Sequence, residues 1–352
     1  MSVYEKVIED ILEKKKNKEN GNHNMIPISY QRYAEYFEGF TPGDYIGLLG
    51  STGSGKSRLT RSWMYDAVDF AMKTGYKLKV LYFALEDPKI PVAKKIMSHY
   101  LYTRPNVSLS SKALSSQIAP LPDKYLQLIE NDKGFWYQFY NIVHIINDDS
   151  SPNQIEKRVL SAREKYPDHH IIVIIDNQSN ITQDAQDASE WAAIKRLSRD
   201  VIRLKFCPLK ITTITVLQLD FETEKATFRN AGKGTLASIE PNLASVGDAK
   251  VVIRSMHYVF ALFDPWRFEI KEYPFTGAYK TEILRGRFRS LIHLKTNEGE
   301  IAPRLGLYFD GKHEIFSEMP LATDTVALEK IYKQITDEER ERINKLTGKL
   351  FQ

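Results

Sequence analysis

Residues 45–57 read Tyr-Ile-Gly-Leu-Leu-Gly-Ser-Thr-Gly-Ser-Gly-Lys-Ser, and this stretch decides the fold. Residues 45–49 form a short apolar run that predicts a buried strand. Residues 50–57 fit the pattern G-x-x-x-x-G-K-[ST], in which glycines let successive backbone N–H groups point at one phosphate group. Apolar residues then recur at helical spacing and a glycine follows at the position of a C-terminal cap: Leu59, Trp63, Ala67, Phe70, Ala71 and Gly75. Strand, glycine-rich turn and helix together predict a phosphate-binding loop.

The same motif assigns roles to its residues. Lys56 is expected to reach the β- and γ-phosphates, and the Ser57 hydroxyl to ligate Mg²⁺. We therefore predict ATP and Mg²⁺ as cofactors. The predicted nucleotide site comprises Gly50, Ser51, Thr52, Gly53, Ser54, Gly55, Lys56, Ser57 and Arg58.

Composition narrows the class of protein. The chain has 352 residues, 42% of them hydrophobic, and a net charge of +4, so any nucleic-acid binding must come from local patches. The single cysteine, Cys207, excludes an internal disulfide framework and fits a reducing cytoplasm. The first residues are charged and lack the apolar segment of a signal peptide, and no apolar run approaches the roughly 18–20 residues of a membrane span. We expect a cytoplasmic protein without a membrane partner.

Strand-like and helical patterns alternate through the first two thirds of the chain. After the loop, strands are predicted at Leu78–Leu85, Ile142–Ile146, Ile171–Ile175 and Ile211–Leu217. This alternation predicts an α/β fold with a doubly wound, mainly parallel sheet. Beyond residue 250 we predict short, antiparallel strands that extend the sheet: Val251–Ile253, His257–Phe263, Phe268–Lys271, Thr281–Leu284, Ser290–Leu294 and Leu305–Phe309. We divide the chain into an N-terminal helix and linker (1–25), a motor domain (26–320) and a charged helical tail (321–352).

Three predicted strands end in polar residues that parallel pairing would bring to one edge of the sheet. Asp176 is the candidate second Mg²⁺ ligand, and the alternative is an ordinary strand-end turn. Glu86 could orient or deprotonate an attacking water, and the alternative is an acid favoured by a helix N-terminus. Gln218 could sense the γ-phosphate by hydrogen bonding, and the alternative is a solvated strand end.

A catalytic glutamate after the strand that follows the phosphate-loop helix is typical of RecA-type ATPases. The order of the motifs resembles the C-terminal motor domain of DnaB-type hexameric replicative helicases, over about residues 26–316. The stretches that carry this resemblance are Gly39–Asp44, Phe83–Glu86, Ile174–Asp176, Leu217–Leu219, Asn242–Ser245 with Asp248–Ala249, Ile283–Arg287, and Leu307–Asp310 with Phe316. The resemblance implies a RecA-like P-loop ATPase that acts as a hexameric ring on DNA in replication.

Several positions depart from the family pattern. Asn177 stands where tyrosine often follows the magnesium aspartate, Arg285 stands where lysine is usual, and the stretch from Arg287 to Leu305 is longer than typical. The resemblance therefore implies a divergent stand-alone motor without the family's primase-binding domain, such as a phage or plasmid carries. A primase or a helicase loader would be a possible partner, and the compartment would be the cytoplasm of a bacterial or phage-infected cell.

The resemblance also implies an arginine finger that completes the ATP site of a neighbouring subunit in a homo-oligomer. Arg287 is the first candidate and Arg285 the second. The alternative is that Lys280, Arg285, Arg287 and Arg289 form a solvated basic strand face. The N-terminal helix, over Val3–Lys18, could dock on the adjacent subunit as the family's linker helix does.

Single-stranded DNA would be held by loops that face the ring channel. Residues 221–241 combine basic and aromatic side chains with glycines, a composition suited to tracking a phosphate backbone. The candidate DNA-binding residues are Lys225, Arg229 and Lys233; the alternative is a surface loop. Two other functions keep the ATP site: a recombinase-like or circadian-type ATPase that does not unwind DNA, and an assembly partner in which ATP stabilises an interface.

Overall fold

The structure, a computed structural model, describes residues 2–117, 119–218, 239–243, 250–275 and 277–350. The helices in these residues, in chain order, are α1 (Val3–Glu19), α2 (Lys56–Thr74), α3 (Lys89–Thr103), α4 (Ser111–Leu114), α5 (Asp123–Asn131), α6 (Lys133–Ile142), α7 (Pro152–Lys165), α8 (Glu190–Arg196, continued by a π-helix over Leu197–Phe206), α9 (Lys250–Arg254), α10 (Thr281–Leu284) and α11 (Thr325–Leu350). Short 3-10 helices lie at Gln178–Asn180, Pro265–Phe268 and Arg285–Arg287.

The strands in the same residues are β1 (Ile26–Pro27), β2 (Gly39–Phe40), β3 (Tyr45–Leu49), β4 (Leu78–Ala84), β5 (Val143–Ile146), β6 (His170–Asp176), β7 (Ile211–Val216), β8 (Tyr258–Phe263), β9 (Glu272–Phe275), β10 (Gly277–Lys280), β11 (Phe288–Thr296), β12 (Leu305–Asp310) and β13 (Ile315–Glu318). Nine of them form one sheet in the order β13-β12-β11-β8-β3-β7-β6-β4-β5. The six strands from β8 to β5 are parallel, whereas β11, β12 and β13 are antiparallel to their neighbours. The prediction of a mainly parallel sheet extended by antiparallel strands is confirmed.

Parallel pairing aligns the strand ends that carry the candidate site. Ala84 of β4 lies opposite Asp176 of β6, and β7 and β8 flank β3 on its two sides. Because the six strands run in one direction, the segments that follow β3, β4, β6, β7 and β8 all emerge at one edge. This edge is where ligands bind in open α/β sheets.

Two apolar layers cover the sheet. On one face α2, α3 and α6 pack on side chains such as Val80, Ile172 and Phe260. On the other face α7, the π-helix and α11 pack on side chains such as Phe83 and Ile175. The central strands are buried on both faces, which explains the continuous aliphatic run of Ile171–Ile175 in β6.

The helix cap predicted at Gly75 is confirmed, and α7 has a cap at its N-terminus. Gly75 ends α2 in the left-handed conformation, with φ +72°. Ser151, Pro152 and Gln154 form a capping box with proline at the first turn of α7. The N-terminal helix and the helical tail are also present, as α1 and α11.

Three predicted strands in the last third are wrong. Residues 251–253 belong to α9, residues 281–284 form α10, and Phe268 ends a 3-10 helix before β9 begins at Glu272. In α10 the buried Thr281 and Leu284 are three residues apart, which is a helical spacing, and a segment of only four residues is too short for periodicity to separate a helix from a strand. The predicted strand 257–263 is present as β8, but it joins the sheet in parallel to β3.

Candidate nucleotide-binding site

The phosphate-binding loop lies between β3 and α2, as the motif predicts. Gly55 precedes the helix with φ +106°, a conformation that glycine adopts without the cost of a Cβ atom. A Cβ atom at Gly50 would lie 2.7 Å from the Leu262 carbonyl oxygen, so this position also requires glycine. Lys56 is buried, and its Nζ donates hydrogen bonds to the carbonyl oxygens of Gly50 and Ser51, at 2.7 and 2.9 Å.

Asp176, at the end of β6, reaches the start of α2. Its Oδ1 accepts a hydrogen bond from the Ser57 hydroxyl at 2.7 Å, and the carboxylate is almost fully buried. The two residues predicted as metal ligands are therefore adjacent. In phosphate-loop sites a Mg²⁺ ion takes a hydroxyl from the first turn of the helix and a carboxylate from the end of a strand. Ser57 and Asp176 are such a pair, so these residues fit the ion.

Gln218 and Glu86 complete the edge of the sheet. The Gln218 amide donates a hydrogen bond to the Thr52 hydroxyl in the phosphate loop, and its Oε1 lies 3.5 Å from Asn177 Nδ2. Glu86 is exposed, and the backbone N–H of the preceding Leu85 donates to the Asp176 carbonyl at 2.7 Å. The phosphate loop and the three strand-end residues singled out in the sequence thus lie at one edge of the sheet.

A buried arginine behind Asp176 was missed in the sequence. Arg61, one turn into α2, donates two hydrogen bonds to the Glu314 carboxylate, at 2.7 and 2.8 Å. Its Nη1 also donates to the Tyr82 hydroxyl at 3.1 Å and lies 3.6 Å from Asp176 Oδ2. Burial opposes the charge on Arg61, but the surrounding Tyr82, Glu314 and Asp176 raise its pKa above the ordinary value.

Tyr82 connects this arginine to the metal-ligand aspartate. Its hydroxyl donates a hydrogen bond to Asp176 Oδ2. Burial, together with the neighbouring Asp176 carboxylate, raises the pKa of the Tyr82 phenol well above its usual range. Tyr82 therefore stays protonated as a donor, and Asp176 has one oxygen fixed by Tyr82 and the other facing Ser57.

A second buried arginine supports the phosphate loop. Arg289 of β11 donates from Nε to the Ser54 carbonyl at 2.6 Å, and its Nη2 lies 3.0 Å from the Asp264 carboxylate. Its guanidinium also lies 4.6 Å from the centroid of the Phe309 ring. Burial lowers the pKa of Arg289 to about 10, although Asp264 opposes that shift. The sequence pattern placed Arg289 in a basic strand face, but β11 is buried continuously from Phe288 to His293, so no period-two alternation marks Arg289 in the sequence.

The two predicted arginine-finger residues do not contact the phosphate loop of their own chain in any recorded hydrogen bond or ion pair among the described residues. Arg287 forms an ion pair with Glu338 at 2.7 Å, and Arg285 with Glu339 at 3.0 Å. Lys280 likewise pairs with Glu329 at 2.8 Å. The three acidic partners all belong to α11, so these three cations are ion-paired with the C-terminal helix while their side chains stay partly exposed.

The predicted DNA-binding residues Lys225, Arg229 and Lys233 lie outside the described residues. Within the described ranges, no cluster of three or more His, Cys, Asp or Glu side chains has the arrangement of a metal site, and no helix is long and apolar enough to span a membrane.

Comparisons with known proteins concern the whole architecture. No protein-family model and no curated protein matches the sequence. Among solved structures, the chain is similar to a helicase ATPase domain, with a TM-score of 0.65 and 16% identity over 89% of this chain and 99% of that one. It is also similar to a DnaB-like replicative helicase whose structure was solved with its interactions with primase (TM-score 0.65, 15% identity, 88% of this chain), of which it spans 65% of the length.

A third similar structure is a KaiC-like protein from the archaeon Pyrococcus horikoshii OT3, with a TM-score of 0.50 and 11% identity over 84% of this chain and 99% of that one. The two helicase structures agree more closely with this chain than the KaiC-like protein does. The fold predicted from the order of motifs is confirmed: the chain has the RecA-type ATPase fold of DnaB-like helicase domains.

Proposed function

We propose that this protein is an ATP-dependent motor that assembles as a ring, a hexamer by analogy with the helicases it resembles, translocates on single-stranded DNA and unwinds duplex DNA in replication. The observation that carries the proposal is the convergence of the phosphate loop, Glu86, Asp176 and Gln218 at one edge of a RecA-type sheet. The similarity to two helicase structures across almost the whole chain supports it.

The residues of the site divide the work of phosphoryl transfer. Lys56 is held in the loop by two carbonyl oxygens and is poised to exchange them for phosphate oxygens. Ser57 and Asp176 would hold Mg²⁺, which, when bound, neutralises charge on the β- and γ-phosphates. The exposed Glu86 carboxylate would orient the attacking water and accept its proton. Gln218, hydrogen-bonded to the loop through Thr52, would report the presence of the γ-phosphate to β7.

Ring assembly is supported by an N-terminal helix whose apolar stripe is uncovered. No residue of α1 is buried, although Tyr4, Ile8 and Leu12 form one apolar stripe. Three acidic residues, Glu5, Glu9 and Glu13, lie beside that stripe, together with Lys16. An amphipathic helix of this kind is stable only when its apolar side is covered.

The rest of the protein contains a groove whose apolar and basic lining matches the apolar stripe and acidic residues of α1. A cavity of about 900 Å³ lies beside the edge strand β5, between α3, α5 and α7. Its apolar lining includes Ile90, Met97 and Ile129, and four basic residues contribute to it: Lys89, Lys94, Arg158 and Lys165. We place α1 of one subunit in this groove of the next, because apolar and charged features are complementary.

An arginine supplied across the same interface would complete the ATP site. Arg287 and Arg285 are exposed or half-exposed on the antiparallel side of the sheet, where a neighbour can be reached. Their present partners, Glu338 and Glu339, are exposed enough to be exchanged for a phosphate at modest cost. DNA would be held by Lys225, Arg229 and Lys233.

ATP hydrolysis rate with and without single-stranded DNA, combined with molar mass from light scattering, tests the proposal. Wild type should be stimulated by DNA and have the mass of a ring. Lys56→Ala should abolish hydrolysis, and Glu86→Gln should bind ATP but hydrolyse little. Full turnover by Glu86→Gln would remove that residue from catalysis, and a rate insensitive to DNA would contradict a DNA motor.

Assembly through α1 has its own test. Ile8→Asp combined with Leu12→Asp should lower the mass to that of a monomer, whereas Lys18→Glu, on the same helix but outside the stripe, should not. An unchanged ring in the double variant would contradict the docking of α1. Electron microscopy with ATP and DNA would separate a closed ring from the open filament that a recombinase-like ATPase forms.

A further inference from the structure

The buried acid Glu314 is far from the phosphate loop in sequence but connected to it in space. It lies in the turn between β12 and β13, and 5% of its surface is exposed. Both of its carboxylate oxygens accept hydrogen bonds from Arg61, at 2.7 and 2.8 Å. The guanidinium that it holds is the one that lies 3.6 Å from Asp176 Oδ2.

Charge in this buried cluster decides how Asp176 can act. Arg61 carries one positive charge, and Glu314 and Asp176 carry one negative charge each. At the edge of the cluster, Arg58 Nε lies 3.8 Å from Glu314 and Arg61 Nη1 lies 4.0 Å from Asp87. Arg61 makes its bidentate hydrogen bonds to Glu314, and its contact with Asp176 is the longer one, so Asp176 keeps most of its negative charge available. Without Glu314, the same guanidinium would neutralise Asp176 and compete with a divalent cation for it.

Tyr82 fixes the direction of that remaining charge. Its hydroxyl accepts from Arg61 at 3.1 Å and donates to Asp176 Oδ2. The carboxylate is thereby held with Oδ1 toward Ser57, the other candidate metal ligand. Arg61, Tyr82 and Glu314 are therefore positioned to act on a metal ion through Asp176.

We propose that Glu314 sets the divalent-cation affinity of the nucleotide site, because it binds the Arg61 guanidinium and so prevents this cation from fully neutralising Asp176. Glu314 is a positioning residue in this account. The inference rests on the proposed function, since it takes Asp176 and Ser57 as the ligands of the cation. It links the C-terminal hairpin to the ATP site through side chains from α2 and β4.

Manganese binding in the presence of ADP, followed by electron paramagnetic resonance, tests the proposal without requiring hydrolysis. Glu314→Gln keeps the size of the side chain and removes its charge. We expect its dissociation constant for Mn²⁺ to rise on the order of tenfold. The Mg²⁺ concentration that half-saturates ATP hydrolysis should rise to match, with the rate at saturating Mg²⁺ close to that of wild type.

A matched control comes from the same hairpin. Glu318 of β13 is ion-paired with Arg32 and has no recorded hydrogen bond or ion pair with the Asp176 cluster among the described residues. Glu318→Gln should leave Mn²⁺ affinity unchanged. The double variant Arg61→Met with Glu314→Gln removes both charges of the pair, and should restore affinity to near the wild-type value. Restoration would not be expected if Glu314→Gln acted through misfolding.

The possible outcomes separate the two proposals. Equal Mn²⁺ affinity in wild type and Glu314→Gln would overturn the role of Glu314 and leave the ATP site intact. If the double variant binds Mn²⁺ as weakly as Glu314→Gln does, the role of Glu314 is also overturned. If Glu314→Gln fails to fold, a double variant that binds Mn²⁺ far more weakly than wild type overturns it instead. If wild type shows no ADP-dependent Mn²⁺ binding, the assignment of Asp176 and Ser57 fails, and the proposed function fails with it.

Discussion

Arg289 in β11 and Arg287 just before it are two residues apart, but they should respond differently to substitution by methionine. Arg289→Met removes a buried guanidinium that contacts Ser54 O at 2.6 Å, Phe288 O at 2.6 Å and Gly286 O at 3.0 Å, and pairs with Asp264 at 3.0 Å. Arg287→Met removes a guanidinium whose side chain is 33% exposed and which pairs with Glu338.

The expected magnitudes differ because only one pair is buried. Removing one partner of a buried ion pair costs about 3–5 kcal/mol, since the other partner is left without compensation. Burial already raises the pKa of Asp264, and the loss of the Arg289 charge would raise it further, so Arg289→Met should cost about 3 kcal/mol or more. An exposed pair contributes about 0–1 kcal/mol, so Arg287→Met should be nearly neutral.

Urea unfolding at pH 7 measures the free energy of unfolding of both variants, and nucleotide titration measures their ATP affinity. Arg289→Met should also weaken ATP binding, because the Ser54 carbonyl loses its donor and the loop loses a fixed point. Arg287→Met should keep ATP binding and stability but lose most of the hydrolysis rate. Equal stability of the two variants would refute the assignment of Arg289 as a buried support, and an unimpaired rate in Arg287→Met would refute the arginine finger.

Further predictions concern the loop, the pH response and the DNA contacts. Gly50→Ala should abolish ATP binding because its Cβ would lie 2.7 Å from Leu262 O, whereas Gly134→Ala, in open space within α6, should bind normally; equal binding by both would contradict the tight loop. Burial lowers the pKa of His170 to about 3, so between pH 6.5 and 3 the unfolded state binds the extra proton and stability falls as pH decreases. In urea unfolding, wild type should lose about 2 kcal/mol more than His170→Gln from pH 7.5 to 5, and parallel losses would exclude this histidine as the cause. Replacing Lys225, Arg229 and Lys233 with alanine should reduce the salt dependence of single-stranded DNA binding by about 2 in log–log slope, measured by fluorescence anisotropy, and an unchanged slope would remove these residues from the DNA contact.

The sequence predicted those parts of the fold that local pattern determines. The buried strands β4, β6 and β7 and the motif at residues 50–57 follow from strand-like residue patterns and glycine placement. They place Asp176 and Gln218 at the same edge as Ser57. The prediction was wrong for short elements in which two or three apolar residues fit either a strand or one helical turn, as in α9 and α10.

The supporting residues could not be predicted because their partners are distant in the chain. Glu314 is 253 residues from Arg61, and Ser54 is 235 residues from Arg289. No local rule reports that such charges are buried together, since an isolated arginine in a helix or a strand is usually exposed. The candidate site residues at the strand ends could therefore be predicted from the sequence. The buried side chains that hold them in place could be identified only from the structure.

Shared ATP sites between neighbouring subunits make a direct prediction for mixed rings. Lys56→Ala subunits cannot bind the triphosphate, and Arg287→Ala subunits cannot complete a neighbour's site, so each variant alone should be inactive in DNA-stimulated ATP hydrolysis. In equimolar mixed rings, about one interface in four joins an intact Lys56 to an intact Arg287 from the next subunit, and hydrolysis should recover to about a quarter of the wild-type rate. Co-assembled rings that show no recovery would contradict a site completed in trans by Arg287.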